Sequence, residues 1–431
     1  MINRDRQPLY YGWVVVAVTG LALLVSAGVR SAPGILINPL ETEFGWSTAS
    51  ISFAISIGIL LYGLAGPAVG SLLGRFGPRR ILTVGLVLVA ASTALGTTTT
   101  SLWQFGLFWG VLNGVGTGLA TTVLGAAVAN RWFAERRGLV VGLFGAATSA
   151  GQLLFIPVLQ GLVEAIGWRG ATLTLAGAAL LAVFPVLLLM RDDPAQIGLR
   201  PYGSPPGPVV AANAMVGVAA PPEVGGVMRR ALATPEFWLV AGSFFVCGAT
   251  SNGIVGVHFI PHAIDHRIAA GTAAGSLALM GMFNVVGTIG SGWLTDRYDP
   301  RKLLAIYYTG RGISLFALPF AVDYGVAGLT AFAIIFGLDY IATVPPTVQL
   351  VADRFGRRHV GVVFGWVFAA HQLGAAVAAW LGGVARDAFG GYGQAFLTAG
   401  VVALLGAGMA LLVGRTGHRG TAGVRDAAVP A

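Results

Sequence analysis

The chain carries one short basic loop twice, first as Gly70-Ser-Leu-Leu-Gly-Arg-Phe-Gly-Pro-Arg-Arg80 and again as Gly292-Trp-Leu-Thr-Asp-Arg-Tyr-Asp-Pro-Arg-Lys302. A second pair of segments follows the two loops at matching distances, Val128-Ala-Asn-Arg-Trp132 and Val351-Ala-Asp-Arg-Phe355. Two matching pairs in the same order indicate an internal duplication, in which each half of the chain has the same arrangement of helices and loops.

The composition places this duplication in a membrane. The 431 residues are 55% hydrophobic and only 10% charged, and the mean hydropathy is +0.78. Twelve apolar segments are long enough to cross a bilayer, which takes roughly 20 residues of helix. Six precede and six follow one proline-rich polar stretch. The sequence therefore predicts an all-α membrane protein with twelve transmembrane helices in two pseudo-symmetric six-helix halves.

The polar stretch and the basic residues define the expected organisation of the chain. We expect an N-terminal half at 1–190, a cytoplasmic linker at 191–235, a C-terminal half at 236–415 and a cytoplasmic tail at 416–431. Lys and Arg concentrate in the termini and in every second loop, which the positive-inside rule assigns to the cytoplasm. Both termini are therefore expected in the cytoplasm, and the membrane is expected to be a bacterial-type inner membrane.

The sequence lacks the patterns of most enzymes and cofactor sites. Cys247 is the single cysteine, which excludes an intramolecular disulfide and a cysteine-rich metal site. No metalloprotease, nucleotide-loop or nucleophile-elbow motif occurs. The net charge of +9 comes from arginines scattered over several loops, which form no continuous surface for nucleic acid. We therefore expect no enzyme, no cofactor, no metal and no nucleic-acid partner.

The repeated loop resembles the signature loop of the major facilitator superfamily, Gly-x-x-x-Asp-Arg-x-Gly-Arg followed by Arg or Lys, between helices 2 and 3. Each copy departs from it at one position, because Gly74 replaces the acid in the first copy and Asp299 replaces the second glycine in the other. The resemblance implies two halves that rock around a binding site between them. We expect five loop residues to act as a cytoplasmic gate: Arg75, Arg79, Arg80, Asp296 and Arg297.

Three further stretches are similar to the monocarboxylate-transporter and oxalate–formate-exchanger branch of that superfamily: Tyr11-Gly-Trp13, Phe44-Gly-Trp-Ser47 and Arg131-Trp-Phe-Ala-Glu-Arg-Arg-Gly138. The branch implies anion handling by a cation in helix 1, a position that Arg30 matches. It implies a substrate-facing lysine on helix 11, where this chain has His371. It also implies an acid and an arginine on helix 8, where counting back from Gly292 gives Asn284 and Thr288.

Arg30 is the strongest binding candidate, because a guanidinium within an apolar helix needs water, a partner or an anionic ligand. It could bind a substrate carboxylate through two parallel N–H donors, or it could extend to the outer membrane surface and bind nothing. Groups on other helices would complete the site. The predicted substrate-binding residues are Arg30, Asn284, His258, His371 and Gln152.

Asp339 is the only acid well inside a predicted span, and Arg311 is the lone mid-span arginine of the neighbouring helix. The sequence leaves two interpretations open for Asp339, namely a proton-coupling carboxylate and one member of a static ion pair with Arg311. His371 is a second candidate for proton coupling, because histidine titrates near neutral pH.

These patterns predict a secondary active transporter that moves a small organic anion, a carboxylate, together with protons by alternating access. The protein is expected to function as a monomer in the lipid bilayer. Exchange or efflux of organic anions without obligatory proton symport is the alternative within the same class. A transporter-like membrane sensor is the alternative from a different class, and the short tails without an added soluble domain argue against it.

Overall fold

The computed structural model describes residues 10–204, 224–356 and 359–414. Helices dominate these ranges, and no strand is formed in them. The described start of the predicted linker contains a short 3₁₀ turn at Pro194–Ile197, and its described end forms the helix Val224–Leu232. The middle of the linker and the predicted tail at 416–431 lie outside the described residues.

Ten apolar helices in the described ranges are long enough to cross a bilayer, and two of them are long enough to cross it twice. These two are broken at Gly167 (φ +75°) and at Gly325 (φ +61°), where glycine tolerates a positive φ. The twelve spans are α1 (Gly12–Phe44), α2 (Thr48–Gly66), α3 (Leu72–Gly96), α4 (Leu102–Trp132), α5 (137–166), α6 (168–189), α7 (Pro235–Asp265), α8 (Ala270–Thr295), α9 (Pro300–Ala321), α10 (325–355), α11 (Val360–Phe389) and α12 (Gly393–Leu412). The predicted twelve-helix membrane fold is confirmed.

The repeated loops after α2 and α8 have equivalent contacts, although their sequences differ. In the first copy the Asp192 carboxylate, from beyond α6, accepts a hydrogen bond from the Arg79 N–H at 2.7 Å. In the second copy Asp299 accepts the equivalent bond from the Arg301 N–H at 3.0 Å. A Cβ at Gly77, which aligns with Asp299, would lie 2.6 Å from the Asp192 carboxylate. Asp192 in the first copy and Asp299 in the second therefore make equivalent hydrogen bonds to the loop backbone.

Glycines bring the helices of one half into backbone contact. A Cβ at Gly248 on α7 would overlap the His371 carbonyl on α11, and a Cβ at Gly151 on α5 would overlap the Leu24 carbonyl on α1. Inside lipid the hydrophobic effect does not drive helices together, so close van der Waals packing of this kind has to hold them. These two glycines thus serve helix packing in the membrane.

The two halves meet on the membrane side away from the termini, which we call the far side. There the Asp387 carboxylate at the end of α11 accepts hydrogen bonds from the backbone N–H groups of Thr48 (3.2 Å) and Ala49 (2.9 Å) at the start of α2. A carboxylate at a helix N-terminus also interacts favourably with the helix dipole. At the opposite ends of these helices, a Cβ at Gly66 or Gly361 would meet no described atom within 4 Å. The described contacts between α2 and α11 therefore run from the far side as far as Gly63, where a Cβ would overlap the Gln372 side chain, and do not include these two end glycines.

Substituting Gly383 on α11 by leucine should open the far-side contact. A Cβ at Gly383 would lie 2.7 Å from the Ser52 hydroxyl and 2.8 Å from the Thr48 carbonyl, which is backbone and cannot rotate aside. Ser52 is completely buried. In a Cys247→Ala background with Ser52→Cys as reporter, we expect Gly383→Leu to increase maleimide labelling of the reporter thiol in the purified protein.

The matched control for this experiment is Gly361→Leu, on the same helix, because a Cβ at Gly361 would meet no described atom within 4 Å. It should leave the labelling of the reporter at its starting rate. Equal labelling rates in the two leucine variants would show that the α2–α11 contact does not close the far side.

Candidate functional site

A cavity of about 100 Å³ lies between the two halves of the chain. Its lining comes from α1, α2 and α5 on one side and from α7, α8, α10 and α11 on the other. A single water needs about 10–15 Å³ on this measure, so the cavity has room for several waters or a small solute. Much of the lining is apolar, and its polar residues are Arg30, Ser31, Tyr62, Gln152, Asn252, Asn284, Tyr340 and Gln372. The described lining thus combines one positive charge with neutral hydrogen-bonding groups.

Three of the lining helices lose regular α-helical geometry where they reach the cavity. α1 is interrupted between its segments Gly12–Ser31 and Pro33–Phe44, because the proline nitrogen has no hydrogen to donate. α7 changes to a π-helix at Ala249–Gly253, and α10 contains a turn at 340–343. Irregular backbone at membrane depth is tolerated only where it is buried in protein or lines a water-filled cavity. The three breaks therefore identify the cavity as the polar centre of the bundle.

Arg30 lies in the last turn of the first segment of α1 and is half-buried in the cavity lining. Its guanidinium lies over the Tyr62 ring, 4.8 Å from the ring centre, and Tyr62 packs against Phe368 of α11. Among the described residues, no carboxylate forms an ion pair with Arg30 and its side chain makes no hydrogen bond. The aromatic contact holds the guanidinium in place and leaves its N–H donors available to an anion.

Two more of the predicted binding residues, Gln152 and Asn284, line the same cavity. The Asn284 side-chain oxygen accepts hydrogen bonds from the Ile341 backbone N–H (3.0 Å) and the Thr288 hydroxyl (3.1 Å). The NH₂ group of this amide therefore remains for a ligand, and a donor suits an anion. Thr288 stands where the family resemblance places an arginine, and here it bonds to Asn284 instead.

The structure does not bring the two predicted binding histidines into the described cavity lining. His258 is completely buried, and its Nε2 atom lies 2.6 Å from the Ala379 carbonyl oxygen. His371 is also buried, and its ring is stacked on Phe368. The next residue, Gln372, lines the cavity instead. The geometry therefore gives no support to a substrate contact by either histidine in this conformation.

Arg311 and Asp339 form an ion pair behind the cavity wall. The Arg311 Nε atom lies 2.6 Å from the Asp339 Oδ2 atom, and the arginine side chain is completely buried. The other carboxylate oxygen, Oδ1, is buried and has no hydrogen-bond partner among the described residues. The Arg311 Nη2 atom donates to the backbone carbonyls of Asp339 (2.8 Å) and Tyr340 (3.2 Å). The same arginine thus holds both the carboxylate and the backbone of the α10 turn.

Arg311 also contacts the irregular part of α7. Its Nη1 atom donates to the Thr250 hydroxyl at 3.2 Å and lies 3.2 Å from the Cys247 sulfur. That sulfur lies 3.0 Å from the Thr343 hydroxyl at the end of the α10 turn. Arg311 therefore connects the π-helix of α7 to the turn of α10. Across the described ranges, no cluster of His, Cys, Asp and Glu side chains is suited to hold a metal ion.

The predicted gating residues lie on the side of the termini and make contacts within their own halves. Arg79 donates to the Leu187 carbonyl near the end of α6, and the Arg297 guanidinium lies 4.1 Å from the Trp293 ring centre on α8. The other three are exposed: Arg75, Arg80 and Asp296. Among the ion pairs formed by the described residues, none joins these loops across the two halves. The predicted tether between the halves is therefore not formed by ion pairs of the described residues in this conformation, and it stays a prediction.

Five polar residues of the cavity lining were not among the predicted binding residues: Ser31, Tyr62, Asn252, Tyr340 and Gln372. Tyr62 gives no signal in the sequence, because isolated tyrosines are common in membrane proteins. Asn252 has a weak signal, since Ser251-Asn252-Gly253 is a polar triplet within an apolar span. The Tyr340 hydroxyl donates to the Asn252 side-chain oxygen at 2.9 Å, which joins α10 to α7 beside the cavity.

Comparisons with known proteins agree with this architecture. The sequence matches the Major Facilitator Superfamily over residues 19–379 and 277–430. It is 25% identical over 395 residues to the uncharacterized MFS-type transporter YcxA of Bacillus subtilis (strain 168), covering 88% of this chain and 90% of that protein. It is 27% identical over 422 residues to monocarboxylate transporter 13 of Rattus norvegicus, covering 95% of this chain and 90% of that protein.

Solved structures with little sequence identity share the fold. A bacterial homologue of the human lysosomal transporter Spinster, in an inward-facing and unoccupied conformation, superposes with a TM-score of 0.74 at 16% identity, covering 95% of this chain and 98% of that one. A D-xylose–proton symporter gives a TM-score of 0.71 at 18% identity, covering 93% and 97%.

The relatives and the shared fold are those of membrane transporters, and none of the proteins named above is an enzyme. The resemblance to the monocarboxylate-transporter branch, predicted from three short stretches, is confirmed by the relatives that carry that name. With a family match across the chain and the twelve-helix fold, this protein belongs to the major facilitator superfamily.

Proposed function

We propose that this protein is a secondary active transporter that moves a small organic anion, a carboxylate, together with protons by alternating access. The observation that carries the proposal is the unpaired guanidinium of Arg30 in a cavity between the two halves. A charge held inside a bundle without a protein partner is costly unless water or a ligand compensates it. A carboxylate would compensate it through two parallel N–H···O bonds.

The other polar groups of the cavity suit the rest of such a ligand. Gln152, Asn252 and Gln372 carry amides on three different helices, and Asn284 has its NH₂ group free. Neutral amides can hydrogen-bond a hydroxyl, keto or carboxylate oxygen without adding charge. Relatives named monocarboxylate transporters support a carboxylate as the substrate.

The proton would bind at Asp339 in this proposal. One oxygen of this carboxylate is held by Arg311, and the other is buried without a partner among the described residues. A buried oxygen without a donor is a place where a proton removes an electrostatic cost. His371 remains a second candidate, because it directly precedes the cavity residue Gln372 in α11 and interacts with Cys247, a neighbour of the ion pair.

Transport without protons is the competing proposal, and one observation favours it. No Asp or Glu side chain occurs in the described lining of the cavity. A carrier with one fixed cation and no acid at its binding site could exchange one anion for another without moving protons. In either case we propose that both termini are cytoplasmic in a bacterial-type inner membrane, that the monomer is functional and that this conformation is inward-open.

Replacing Arg30 by glutamine should abolish most carboxylate binding. A hydrogen bond to a charged group contributes about 1.5–3 kcal/mol, so affinity should fall by about 10- to 100-fold. Arg30→Lys keeps the charge but loses the two-donor geometry, and it should retain part of the affinity. The measurement is counterflow of acetate, pyruvate, L-lactate, oxalate and benzoate in proteoliposomes, which we call the five-acid panel.

Arg230→Gln is the control for this change, because it removes an exposed guanidinium from the short helix before α7. It should leave the counterflow of every panel acid unchanged. Full activity in the Arg30→Gln variant would mean that the Arg30 side chain does not meet the substrate.

Proton coupling should be lost when Asp339 is replaced by asparagine. The wild-type protein should accumulate a panel acid when the outside of the proteoliposome is acidic, since protons then flow inward with the anion. Asp339→Asn should keep counterflow, which needs no net proton movement, and lose the stimulation by the gradient.

The double variant Arg311→Gln/Asp339→Asn controls for the unpaired Arg311 charge that the single change leaves behind, because an uncompensated buried charge destabilises a protein. The double variant should also lack the stimulation by the gradient, and weaker counterflow than in the single variant would reflect the lost bonds from Arg311 to the α10 turn. Wild-type uptake that does not respond to the gradient would favour the exchanger instead.

A further inference from the structure

Two consecutive residues at the start of the α10 turn, Asp339 and Tyr340, face different parts of the protein. Asp339 contacts the buried Arg311, whereas Tyr340 lines the cavity. A single peptide bond joins them, so a displacement of one is passed directly to the other. The Arg311 Nη2 atom donates to the carbonyl of each residue, at 2.8 Å and 3.2 Å. The position of Tyr340 therefore depends on how Arg311 is held.

The π-helix of α7 repeats this arrangement. Thr250 accepts a hydrogen bond from Arg311 at 3.2 Å, and Asn252, two residues further on, lines the cavity. The Tyr340 hydroxyl then donates to the Asn252 oxygen at 2.9 Å. The contacts form a closed ring that runs from Arg311 through the α10 turn to the cavity, across to α7 and back to Arg311.

We propose that Tyr340, through its hydrogen bond to Asn252, couples substrate binding in the cavity to the state of the Arg311–Asp339 pair. This inference rests on the proposed function, because it needs a substrate in the cavity. A bound carboxylate accepts a hydrogen bond from the NH₂ group of Asn252, the amide turns, and its bond from the Tyr340 hydroxyl is then lost. The α10 turn is released from α7 at that point, and its carbonyls shift against Arg311.

The reverse effect follows from the same ring. A proton on Asp339 neutralises the carboxylate and leaves Arg311 with only neutral acceptors. The hydrogen bonds from Arg311 to the α10 turn then change in strength. The titratable and charged groups that face Asp339 are Arg311, Tyr307 and Tyr308 of α9 and Cys247 of α7. Among the described residues, α8 presents the neutral Asn284 and Ser291 to the neighbouring turn of α10. From α11, His371 faces Cys247. Tyr340 itself is a positioning residue, because it acts on the proton site through the backbone and Arg311.

The single cysteine of the chain offers a direct reporter for this movement. Cys247 is buried, and its sulfur lies 3.2 Å from Arg311 and 3.0 Å from Thr343. A shift of Arg311 or of the α10 turn changes how readily a small reagent reaches this thiol. Because Cys247 is the only cysteine, N-ethylmaleimide labelling of the full-length protein reports on this position alone.

The experiment measures the labelling rate of Cys247 in the purified protein with and without each acid of the five-acid panel. In the wild-type protein, an acid that supports counterflow should change the rate by at least about fivefold, the lower end for coupling between two sites. In Tyr340→Phe the same acid should still give measurable counterflow, weakened by the loss of one hydroxyl group from the cavity wall, but should no longer change the labelling rate. Accumulation driven by a proton gradient should fall in the same variant.

The matched control is Tyr324→Phe, which removes the same hydroxyl group from a tyrosine that is 78% exposed. It should behave as the wild-type protein in all three measurements. A Tyr340→Phe variant whose labelling rate still responds to the acid would overturn the inference. Complete loss of counterflow in this variant would also overturn it, because Tyr340 would then be a binding residue only. Absence of counterflow for every panel acid in the wild-type protein would instead remove the proposed function.

Discussion

A helix can be broken inside a bilayer only if the backbone groups that it frees find partners within the protein. In this transporter α10 is broken at 340–343, and two neighbouring helices supply those partners. Arg311 of α9 binds two carbonyls of the turn. From α8, Asn284 accepts the Ile341 N–H and Ser291 donates to the Ala342 carbonyl at 2.5 Å. The cavity depends on this support, because the turn is what brings Tyr340 to its wall.

Arg30 and Arg311, two arginines inside the bundle, differ in how their surroundings satisfy the guanidinium group. Arg311 has an acceptor for each nitrogen of its guanidinium, and one of these acceptors is an ionised carboxyl group. Arg30 has an aromatic ring below it and no acceptor among the described residues. The first arrangement is complete without a ligand. The second is complete only when water or an anion fills the cavity, and this difference supports our proposal that Arg30 binds the ligand.

The sequence could predict the fold because the bilayer limits the possible structures so strongly. Apolar segments of sufficient length must be helices, and the repeated loops indicate the duplication. The contact between Arg311 and Asp339 was within reach of sequence reasoning, since each is an isolated charge in a neighbouring span. The histidines were not, because a helix that is apolar all round does not reveal which face points to the cavity. The π-helix that positions Asn252 is likewise set by packing against other helices.

The far-side contact between Asp387 and the start of α2 has a consequence for turnover. The N–H groups at a helix N-terminus need an acceptor whether the helix is docked or free, and water serves as well as a carboxylate. Undocking α2 from α11 therefore exchanges one set of hydrogen bonds for another and leaves no group without a partner. The net difference for such an exchange is modest, about 1.5–3 kcal/mol for each bond to a charged group. The far-side contact consists of groups that are hydrogen-bonded whether α2 is docked or free. Such a contact can form and break reversibly, as a carrier that opens and closes in every cycle requires.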